Sequence, residues 1–486
     1  MPKVILVTSR EPYLLKRVGA EISAQRVRAG LLGALEPLLQ AAPGHFITWS
    51  GLEREGAESL PERIQLAVDG VPWSLRRVPV SEREASLFYY GFACRTLWPL
   101  MHLQLGRVSF DAEAWRAFRR VNQRFAEAVL EVWQPGDRIW VLDHALALVP
   151  GMLREAQPEA QIAMTWGIPW APVEAVRALP WAGELIRGIL GADQVGLSLT
   201  DDVERFLEAV PLAGGELLSA DRVVLGGRTP RVGAFPFGCD AEAWNARALA
   251  SRGGRVVRLK RSLGADKLAL AVDRVERTRG IAERVRTFER FFDRYPSWRG
   301  RLVLAQIAVP SRTRAEDYRD LKKEIDDAVA RVNQRFGKDG WQPVRYLYRP
   351  FEPEELAVYY ASADVLVATP LADGLSFVPL EYASSRTRDD GAVLVSSLSG
   401  SAAYLPEAIA VNPYDDEATA ATLRAVLEGE GEGRVRAIRE RARRNDNRTW
   451  LDRFHRAAFG EEMPLAVPAG LDVAEAMQMA AGAEIH

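Results

Sequence analysis

The chain has few of the residues that hold metals or build disulfides. Of its 486 residues, two are cysteine and five are histidine. Cys94 and Cys239 show no metal-ligand spacing and no disulfide framework, so we expect no metal site, and no cofactor. An excess of one charge is also absent, because 63 basic and 65 acidic residues leave a net charge of −2 at pH 7. This balance gives no general attraction to nucleic acid or membranes, so an anion site must be local.

Long apolar runs are absent too. The first residues, MPKVILVTSREPYLLKR, become charged after a short apolar stretch. We therefore predict neither a signal peptide nor a transmembrane helix, and a cytoplasmic protein. The composition, 48% apolar and 26% charged, is that of an ordinary globular protein. The length exceeds what one core usually holds, which predicts two large domains or three small ones.

Short β-branched runs alternate with amphipathic segments, which predicts an α/β fold with parallel sheets. In the first half the predicted strands are KVILVTS, HFITWS, RIWVLDH, AQIAMTW and DQVGLSL, and a helix is predicted over 25–41. The rhythm restarts with KLALAVD, GRLVLAQIA, ADVLVAT and GAVLVSS. We therefore predict Rossmann-like domains over 1–238 and 239–445, a C-terminal helix over 446–462 and a flexible tail over 463–486.

One strand, RIWVLDH, ends on a single carboxylate, that of Asp143. In open α/β sheets, ligands bind at the carboxyl ends of the strands, where loops converge on a crevice. Asp143 is therefore a candidate ligand for a sugar hydroxyl. The spacing leaves a second role open with equal weight, in which the Asp143 side chain only caps the helix that follows.

The second half places arginines directly after a strand. The segment AVDRVERTRG carries Arg274, Arg277 and Arg279, and a glycine and a helix follow. Planar guanidinium donors and a helix N-terminus favour the same anion, so this segment predicts a diphosphate site. A solvated basic turn is the alternative.

The strand ADVLVAT leads into a turn and a helix in the segment TPLADGLSFVPLEY. Backbone amides after Gly374 can approach a sugar or phosphate closely, because glycine has no Cβ. Asp373 stands in the same turn, and Glu381, about two turns along the helix, can bind a ribose diol. The pattern indicates a nucleotide-sugar site, with an ordinary type I turn as the alternative.

Separated motifs follow one another along the chain: TSR, GLLGAL, TWSG, RIWVLDHAL, GIPW, AQIAVPSR, TPLADG and VNPYD. In these motifs the chain resembles glycosyltransferase family 20, the trehalose-6-phosphate synthases, over about residues 3–456. The resemblance implies a GT-B fold, in which two Rossmann-like domains with parallel sheets face each other across a cleft. It also implies that the C-terminal helix crosses back to the first domain. Members of the family transfer glucose from UDP-glucose to glucose 6-phosphate with retention of anomeric configuration.

The resemblance assigns the acceptor phosphate to four side chains. Arg10, Tyr89, Trp98 and Arg312 match the family residues that surround this phosphate. Four such groups, two of them arginines, imply a phosphorylated acceptor. Asp143 matches a family carboxylate that is close to the acceptor sugar.

On the donor side, Arg274 matches the family's diphosphate arginine. Arg279 stands where the family has lysine. This keeps the positive charge but replaces a compact ammonium group by a planar guanidinium group with several N–H donors. With Asp143, these two arginines form the expected catalytic set. The other donor-binding residues implied by the resemblance are Asp373, Gly374, Leu375, Ser376, Phe377 and Glu381.

Departures from the family pattern fall close to these residues. Leu142 and Ala145 stand where the family has histidines, and Gly167 replaces a histidine that contacts the donor sugar. Gln25 and Arg26 align with a glycine pair whose amides approach the diphosphate. In this family the leaving diphosphate helps to deprotonate the acceptor, and no protein nucleophile is obligatory. The losses therefore affect recognition more than chemistry.

Three functions are compatible with this pattern. The first is a retaining glycosyltransferase that moves a sugar from a nucleotide-diphosphate sugar to a sugar phosphate. The second is a pseudo-glycosyltransferase, which couples a nucleotide-activated cyclitol to a phosphorylated amino-cyclitol. The third is an inactive regulatory homologue that binds sugar phosphate or nucleotide. We favour the first, expect no nucleic-acid or membrane partner, and leave a homo-oligomer open.

Overall fold

The computed structural model describes residues 2–18, 21–26, 30–51, 61–251, 254–311 and 316–463. Two compact units divide the chain: the residues up to Pro236 with the segment from Asn447 form the first, and Phe237–Asp446 form the second. Each unit has its own apolar core. Arg312 and nearly all of the predicted tail over 463–486 lie outside the described residues.

The first unit is built on a mostly parallel sheet of ten strands. Its described strands are β1 (Val4–Thr8), β2 (Tyr13–Val18), β3 (Glu21–Arg26), β4 (Gly44–Thr48), β5 (Arg63–Val68), β6 (Val71–Arg77), β7 (Arg138–Leu142), β8 (Gln161–Thr165), β9 (Gln194–Leu197), β10 (Glu216–Ser219), β11 (Arg222–Val224) and β12 (Arg231–Ala234). The sheet order is β10-β11-β12-β9-β8-β7-β1-β4-β6-β5, and β2 and β3 form a separate hairpin. Every residue of β1 and β7 is buried, as expected of parallel strands covered on both faces.

Helices alternate with these strands along the chain. The described α-helices that precede the second unit are α1 (Gly30–Ala34), α2 (Glu36–Ala41), α3 (Glu82–Ala85), α4 (Trp98–Met101), α5 (Ala112–Leu130), α6 (Val149–Ala156), α7 (Val173–Val176), α8 (Ala182–Ile189) and α9 (Thr200–Ala209). The carboxylate of Asp111 caps α5 by accepting the Glu113 amide at 2.7 Å. A π-helix, Ser86–Leu97, precedes α4 and carries Tyr89. Such wide turns often occur at functional sites.

The second unit is built on a six-stranded sheet whose neighbouring strands are all parallel. Its described elements are β13 (Lys267–Arg274), β14 (Leu302–Val309), β15 (Val344–Leu347), β16 (Val365–Ala368), β17 (Ala392–Ser396), β18 (Ile409–Val411), α10 (Ala241–Ala250), α11 (Arg255–Leu263), α12 (Ile281–Arg294), α13 (Glu316–Phe336), α14 (Pro353–Ser362), α15 (Phe377–Ser385), α16 (Gly400–Tyr404), α17 (Asp416–Leu427) and α18 (Arg434–Arg444). The sheet order is β15-β14-β13-β16-β17-β18. The predicted α/β class with two parallel-sheet domains is confirmed. Within the described ranges, no helix is long and apolar enough to cross a membrane.

After the second unit, the chain returns to the first through α19 (Asn447–Phe459). Trp450 and Phe454 of this helix are buried against Trp140 of β7, with ring centroids 5.9 and 4.6 Å from the Trp140 ring. A Cβ on Gly196 of β9 would lie 2.5 Å from the Phe454 ring, so glycine is needed for this close approach. The helix is therefore an integral part of the first unit.

The predicted helix over 25–41 is wrong at its start. Residues Glu21–Arg26 form β3, which pairs with β2 in an antiparallel hairpin. Two short helices follow instead of one. Pro37 stands in the first turn of α2, where its missing N–H is harmless, but it could not continue a helix that began earlier. Pairing with β2 supplies the backbone hydrogen bonds of β3, which a helical apolar period does not reveal.

In both sheets, one strand lies where the strand order reverses direction. β1 lies between β4 and β7, and β13 lies between β14 and β16. The loops that follow β1 and β7 lead to opposite sides of the sheet, and so do those that follow β13 and β16. Such a place is the usual ligand site of an open α/β sheet. We call the carboxyl ends of β1 and β7 the first switch point, and those of β13 and β16 the second.

Candidate active site

Asp143 lies at the first switch point, directly after β7, in a strained backbone conformation. Its φ and ψ are 105° and 135°, a region that residues with a Cβ adopt only where their surroundings hold them. The Ser9 hydroxyl donates to Oδ2 of Asp143. The Ala145 amide donates to Oδ1 at 3.1 Å, and Nδ1 of His144 lies 2.7 Å from the same oxygen. These three contacts hold the carboxylate in one place.

The same contacts keep Asp143 charged. Burial alone would raise the pKa of Asp143, but His144, the Ser9 hydroxyl and the Ala145 amide hold it well below its usual range. The side chain is 25% exposed, so a ligand can reach the carboxylate. Because the Ala145 amide opens the short 3-10 turn that follows, Asp143 does act as a cap. Its role as a sugar ligand stays a prediction.

Sequence reasoning overlooks His144, although this residue lies directly beside Asp143. The His144 ring is 7% exposed, and its centroid lies 5.8 Å from that of Trp98 and 6.2 Å from that of Trp166. Nε2 has no hydrogen-bond partner among the described residues. The available signal was the motif LDHAL, which places a histidine one position before Ala145.

Arg10 lies at the other strand end of the first switch point, two residues after β1. It donates to the Tyr89 hydroxyl, and its guanidinium carbon lies 5.5 Å from the centre of the Tyr89 ring. The next residue, Glu11, is buried and makes a two-point ion pair with Arg77 at 2.5 and 3.1 Å. This pair fixes the start of the loop that carries Arg10. The structure therefore brings Arg10 and Tyr89 together, and their shared role at one phosphate stays a prediction.

Trp98 opens α4 and lies against the same edge of the sheet. Its ring stacks on His102 with centroids 4.3 Å apart, and the centroid of the His144 ring lies 5.8 Å away. Since His144 contacts Asp143, Trp98 is close to the carboxylate of the first switch point. Arg312, the fourth residue predicted to bind the acceptor phosphate, lies outside the described residues.

The departures from the family pattern occupy different kinds of place. Leu142 and Ala145 are buried, at 1% and 0% exposure, so apolar packing fills both of these places. Gly167 is exposed, and no atom lies within 4 Å of where its Cβ would be. Gln25 and Arg26 belong to β3, where their backbones pair with Leu14 and Tyr13. A paired strand therefore stands where the resemblance implied a glycine turn.

The second switch point carries positive charge next to carboxylates. Arg279 follows β13 and makes an ion pair with Asp373, which follows β16. Burial would lower the pKa of Arg279, but the carboxylates of Asp373 and Glu276 raise it. Arg274 lies on the other side of the buried Glu276, with Nε 3.4 Å from Oε1. The Arg274 side chain is 45% exposed and that of Arg279 16%, so an anion can reach both.

The turn after Asp373 is fixed by its own hydrogen bonds. The Gly374 amide donates to the Asp373 carboxylate at 3.0 Å, and the Ser376 amide donates to the Ser401 hydroxyl at 3.1 Å. Ser376 in turn caps α15. Two of the amides expected to approach a ligand therefore have partners within the protein. Leu375 and Phe377 are half-buried beside them.

Glu381 lies on α15, in the same unit as this turn. The Tyr360 hydroxyl donates to its carboxylate at 2.9 Å. Burial raises the pKa of Glu381 to about 7, so its charge changes close to neutral pH. A carboxyl group of this kind can accept hydroxyl groups of a ribose when it is ionised. No group of three or more His, Cys, Asp or Glu side chains in the described part of the chain could hold a metal ion.

Two α/β units with parallel sheets, one with the Asp143 carboxylate at its switch point and the other with Arg274 and Arg279, fit the architecture of a GT-B glycosyltransferase. A family model of glycosyltransferase family 20 matches residues 2–458. The chain belongs to this family, and the resemblance inferred from its motifs is confirmed.

Relatives with established names cover nearly the whole chain. The trehalose-6-phosphate synthase of Mycobacterium avium is 34% identical over 472 residues, which are 93% of this chain and 94% of that protein. A bifunctional trehalose-6-phosphate synthase/phosphatase of Thermoproteus tenax is 34% identical over 465 residues, 92% of this chain, and this chain spans 62% of its length. The comparisons therefore support a glycosyltransferase of the trehalose-6-phosphate synthase type and favour neither alternative.

Solved structures with bound ligands show the same fold. A UDP-forming alpha,alpha-trehalose-phosphate synthase from Burkholderia xenovorans, in complex with glucose-6-phosphate, superposes with a TM-score of 0.83 at 26% identity and covers 94% of this chain and 99% of that chain. A trehalose-6-phosphate structure from E. coli bound with UDP-2-fluoro glucose gives a TM-score of 0.84 at 26% identity, with the same coverage of 94% and 99%.

Proposed function

We propose that this chain transfers glucose from UDP-glucose to glucose 6-phosphate and forms trehalose 6-phosphate with retention of configuration. The observation that carries the proposal is the placement of charge at the two switch points, with the anion Asp143 at the first and Arg274 and Arg279 at the second. The bound ligands of two solved relatives, glucose-6-phosphate and UDP-2-fluoro glucose, support the choice of substrates.

Arg274 and Arg279 bind the diphosphate of the donor. Negative charge grows on this group as its bond to the sugar C1 breaks, so two charge-assisted donors stabilise the transition state more than the ground state. Asp373 lies next to Arg279 and accepts hydroxyl groups of the donor sugar. Glu381 accepts those of the ribose, and it does so more strongly when its carboxyl group is ionised.

The acceptor phosphate is bound by Arg10, Tyr89, Trp98 and Arg312, and Asp143 accepts hydroxyl groups of the acceptor sugar. The acceptor hydroxyl attacks C1 on the face that the diphosphate leaves. The C1–O bond to the diphosphate breaks, a new C1–O bond forms, and the hydroxyl proton passes to the leaving phosphate oxygen. Because no protein nucleophile takes part, the absence of histidine at positions 142, 145 and 167 removes contacts but no step.

Product analysis tests this function directly. The purified chain is incubated with UDP-, GDP- or ADP-glucose and glucose 6-phosphate, and the products are analysed by mass spectrometry. We expect a phosphorylated non-reducing disaccharide and free UDP. A nucleotide-activated cyclitol and a phosphorylated amino-cyclitol form a second substrate pair. Product from that pair alone would replace our proposal by a pseudo-glycosyltransferase, and binding without product from either pair would indicate an inactive homologue.

Calorimetry with glucose 6-phosphate tests the acceptor assignment separately. Replacing Arg312 by Ala should weaken binding by about 10- to 150-fold, the loss for a hydrogen bond to a charged group of about 1.5–3 kcal/mol. The matched control is Arg301→Ala, because Arg301 precedes β14, pairs with Asp266 at 3.1 Å, and stands at the other end of the strand that Arg312 follows. Equal affinity in the Arg312 variant and wild type would remove Arg312 from the phosphate site.

A further inference from the structure

Arg284 is a fully buried arginine that none of the steps above uses. It lies in the first turn of α12, and its side chain has 0% exposure. Moving an unpaired guanidinium into a protein interior is costly, so a buried arginine must find several acceptors and a counter-charge. A well-packed apolar residue would often stabilise the same place equally well. The identity of this residue therefore calls for another explanation than packing.

Each nitrogen of the Arg284 guanidinium group donates to a different part of the second switch point. Nη1 donates to the Asp273 carboxylate at 2.6 Å and to the Gln306 amide oxygen at 2.8 Å. Nε donates to the Thr369 hydroxyl at 3.1 Å, and Nη2 donates to the backbone carbonyl of Arg279 at 3.2 Å. The planar fork thereby contacts β13, β14, the residue after β16, and the turn that ends on Arg279.

These partners are neighbours of the residues assigned to the donor. Asp273 directly precedes Arg274, and the contacted carbonyl belongs to Arg279 itself. Thr369 opens the loop that leads to Asp373. The Gln306 side chain also donates to the Asp273 carboxylate at 3.2 Å, which closes the network. One rigid group thus fixes the starting points of both loops whose side chains form the Arg279–Asp373 pair.

We propose that Arg284 is a positioning residue of the donor site, which holds the two loops of the second switch point in the arrangement that receives a nucleoside diphosphate. This inference rests on the proposed function. Preorganised donors stabilise developing charge without having to reorient during the reaction. A small displacement of such groups can lower the rate by about 100-fold. The planar fork is essential, because lysine keeps the charge but offers a single point donor.

The test compares two buried arginines of the same unit. Arg284→Lys should raise KM for the nucleotide sugar and weaken UDP binding by about 10- to 100-fold, while KM for glucose 6-phosphate stays within about twofold. Arg386→Lys is the matched control, because Arg386 is also buried and donates to the carbonyls of Ala361 and Ala363, each at 2.8 Å. The control should lower the melting temperature and leave both KM values unchanged.

Each other outcome counts against the proposal. If Arg284→Lys raises both KM values equally, or if Arg386→Lys has the same effect on UDP binding, Arg284 is only structural. Equal UDP affinity in Arg284→Lys and wild type overturns this inference alone, whereas a wild type that binds no nucleoside diphosphate overturns the proposed function as well. If Arg284→Lys does not fold, Thr369→Val removes one acceptor of the fork and should raise the donor KM by a smaller factor. An unchanged donor KM in Thr369→Val would then contradict the proposal.

Discussion

The two switch points have the same topology but differ in their charged groups, with Asp143 and Arg10 at the first and Arg274 and Arg279 beside carboxylates at the second. At the first, an aspartate is kept ionised by a hydroxyl, an amide and a histidine. At the second, arginines lie against carboxylates and remain partly exposed. The first is therefore suited to the hydroxyl groups of a sugar and the second to a diphosphate. Leu142 and Ala145, where the resemblance implied histidines, belong to the first, and Arg279 belongs to the second.

Removing the anion from the first switch point should have the largest effect. Asp143→Asn keeps the shape but loses the charge that sugar hydroxyls would contact, so kcat/KM should fall by about 10- to 150-fold, corresponding to about 1.5–3 kcal/mol. The measurement is the initial rate of UDP release at saturating donor. Asp137→Asn is the control, because Asp137 accepts the Lys3 amide at 2.8 Å before the other end of β7. Equal losses in both variants would contradict a special role for Asp143.

Removing a positive charge from the second switch point should weaken binding of the donor without affecting binding of the acceptor. Arg279→Ala removes a charge-assisted contact to diphosphate and should weaken UDP binding by about 10- to 100-fold. Arg279→Lys restores the family's residue and its charge, and should stay within about fivefold of wild type. Calorimetry with UDP and, separately, glucose 6-phosphate distinguishes the two ligands. If Arg279→Ala weakens the binding of glucose 6-phosphate as much as that of UDP, the assignment of the two ligands to different switch points is wrong.

Placing histidines at positions 145 and 167 should show which of the two sites has room for the larger side chain. Ala145 is fully buried, so Ala145→His overpacks the core and should cost about 1–3 kcal/mol of unfolding free energy. At Gly167 an added Cβ meets no atom within 4 Å, so Gly167→His should change stability by less than about 0.5 kcal/mol. Urea denaturation of both variants checks this difference. Equal denaturation midpoints for the two variants would mean that the core around Ala145 can rearrange to hold the larger side chain.

The pH dependence of stability should distinguish the carboxyl groups of the two units. Burial raises the pKa of Glu381 to about 7, so between its unfolded value and pH 7 the folded state binds more protons than the unfolded state. The Glu381 contribution is therefore complete at low pH and is lost as pH rises through 7. Asp143 has the opposite sign, because its lowered pKa contributes stability above its unfolded value and loses it in acid.

Melting temperatures of wild type and Glu381→Gln between pH 5 and 8 measure this contribution. Wild type should lose a few degrees relative to the variant across this range, about 2–4 °C for each kcal/mol in a unit of this size. Parallel curves would show that Glu381 is not held protonated by burial. As pH rises through 7, UDP binding should strengthen more in wild type than in Glu381→Gln, because only wild type gains an ionised carboxylate that accepts the ribose hydroxyls.

The ends of the parallel strands could be predicted from the sequence, because buried strands are apolar runs that stop at a polar residue. Asp143 and Arg274 were found in this way, and the ordered motifs added Tyr89 and Trp98. The pairing of Arg279 with Asp373 could not be found, since 94 residues separate them and only the sheet order makes their loops neighbours. The amide contacts of Gly374 and Ser376 likewise depend on tertiary structure.

Other features of the structure were not predicted from the sequence. Arg284 stands in an amphipathic helix, where an arginine normally indicates a solvent-exposed face, yet it is buried. The strand β5 was not predicted, although its alternating exposed and buried residues over Arg63–Val68 are typical of a half-buried edge strand. The hairpin of β2 and β3 was not predicted, since its second strand overlaps the predicted helix over 25–41.

The return of the chain through α19 has a consequence for how the protein is made. Trp140 is synthesised early, but the rings of Trp450 and Phe454 that cover it leave the ribosome only after all of Phe237–Asp446. Domains generally fold as units during synthesis, so the second unit is able to fold first although it begins later. Until α19 arrives, the sheet of the first unit lacks the two rings that pack against the Trp140 indole. The first unit is thus the part of the nascent chain that would need a chaperone longest.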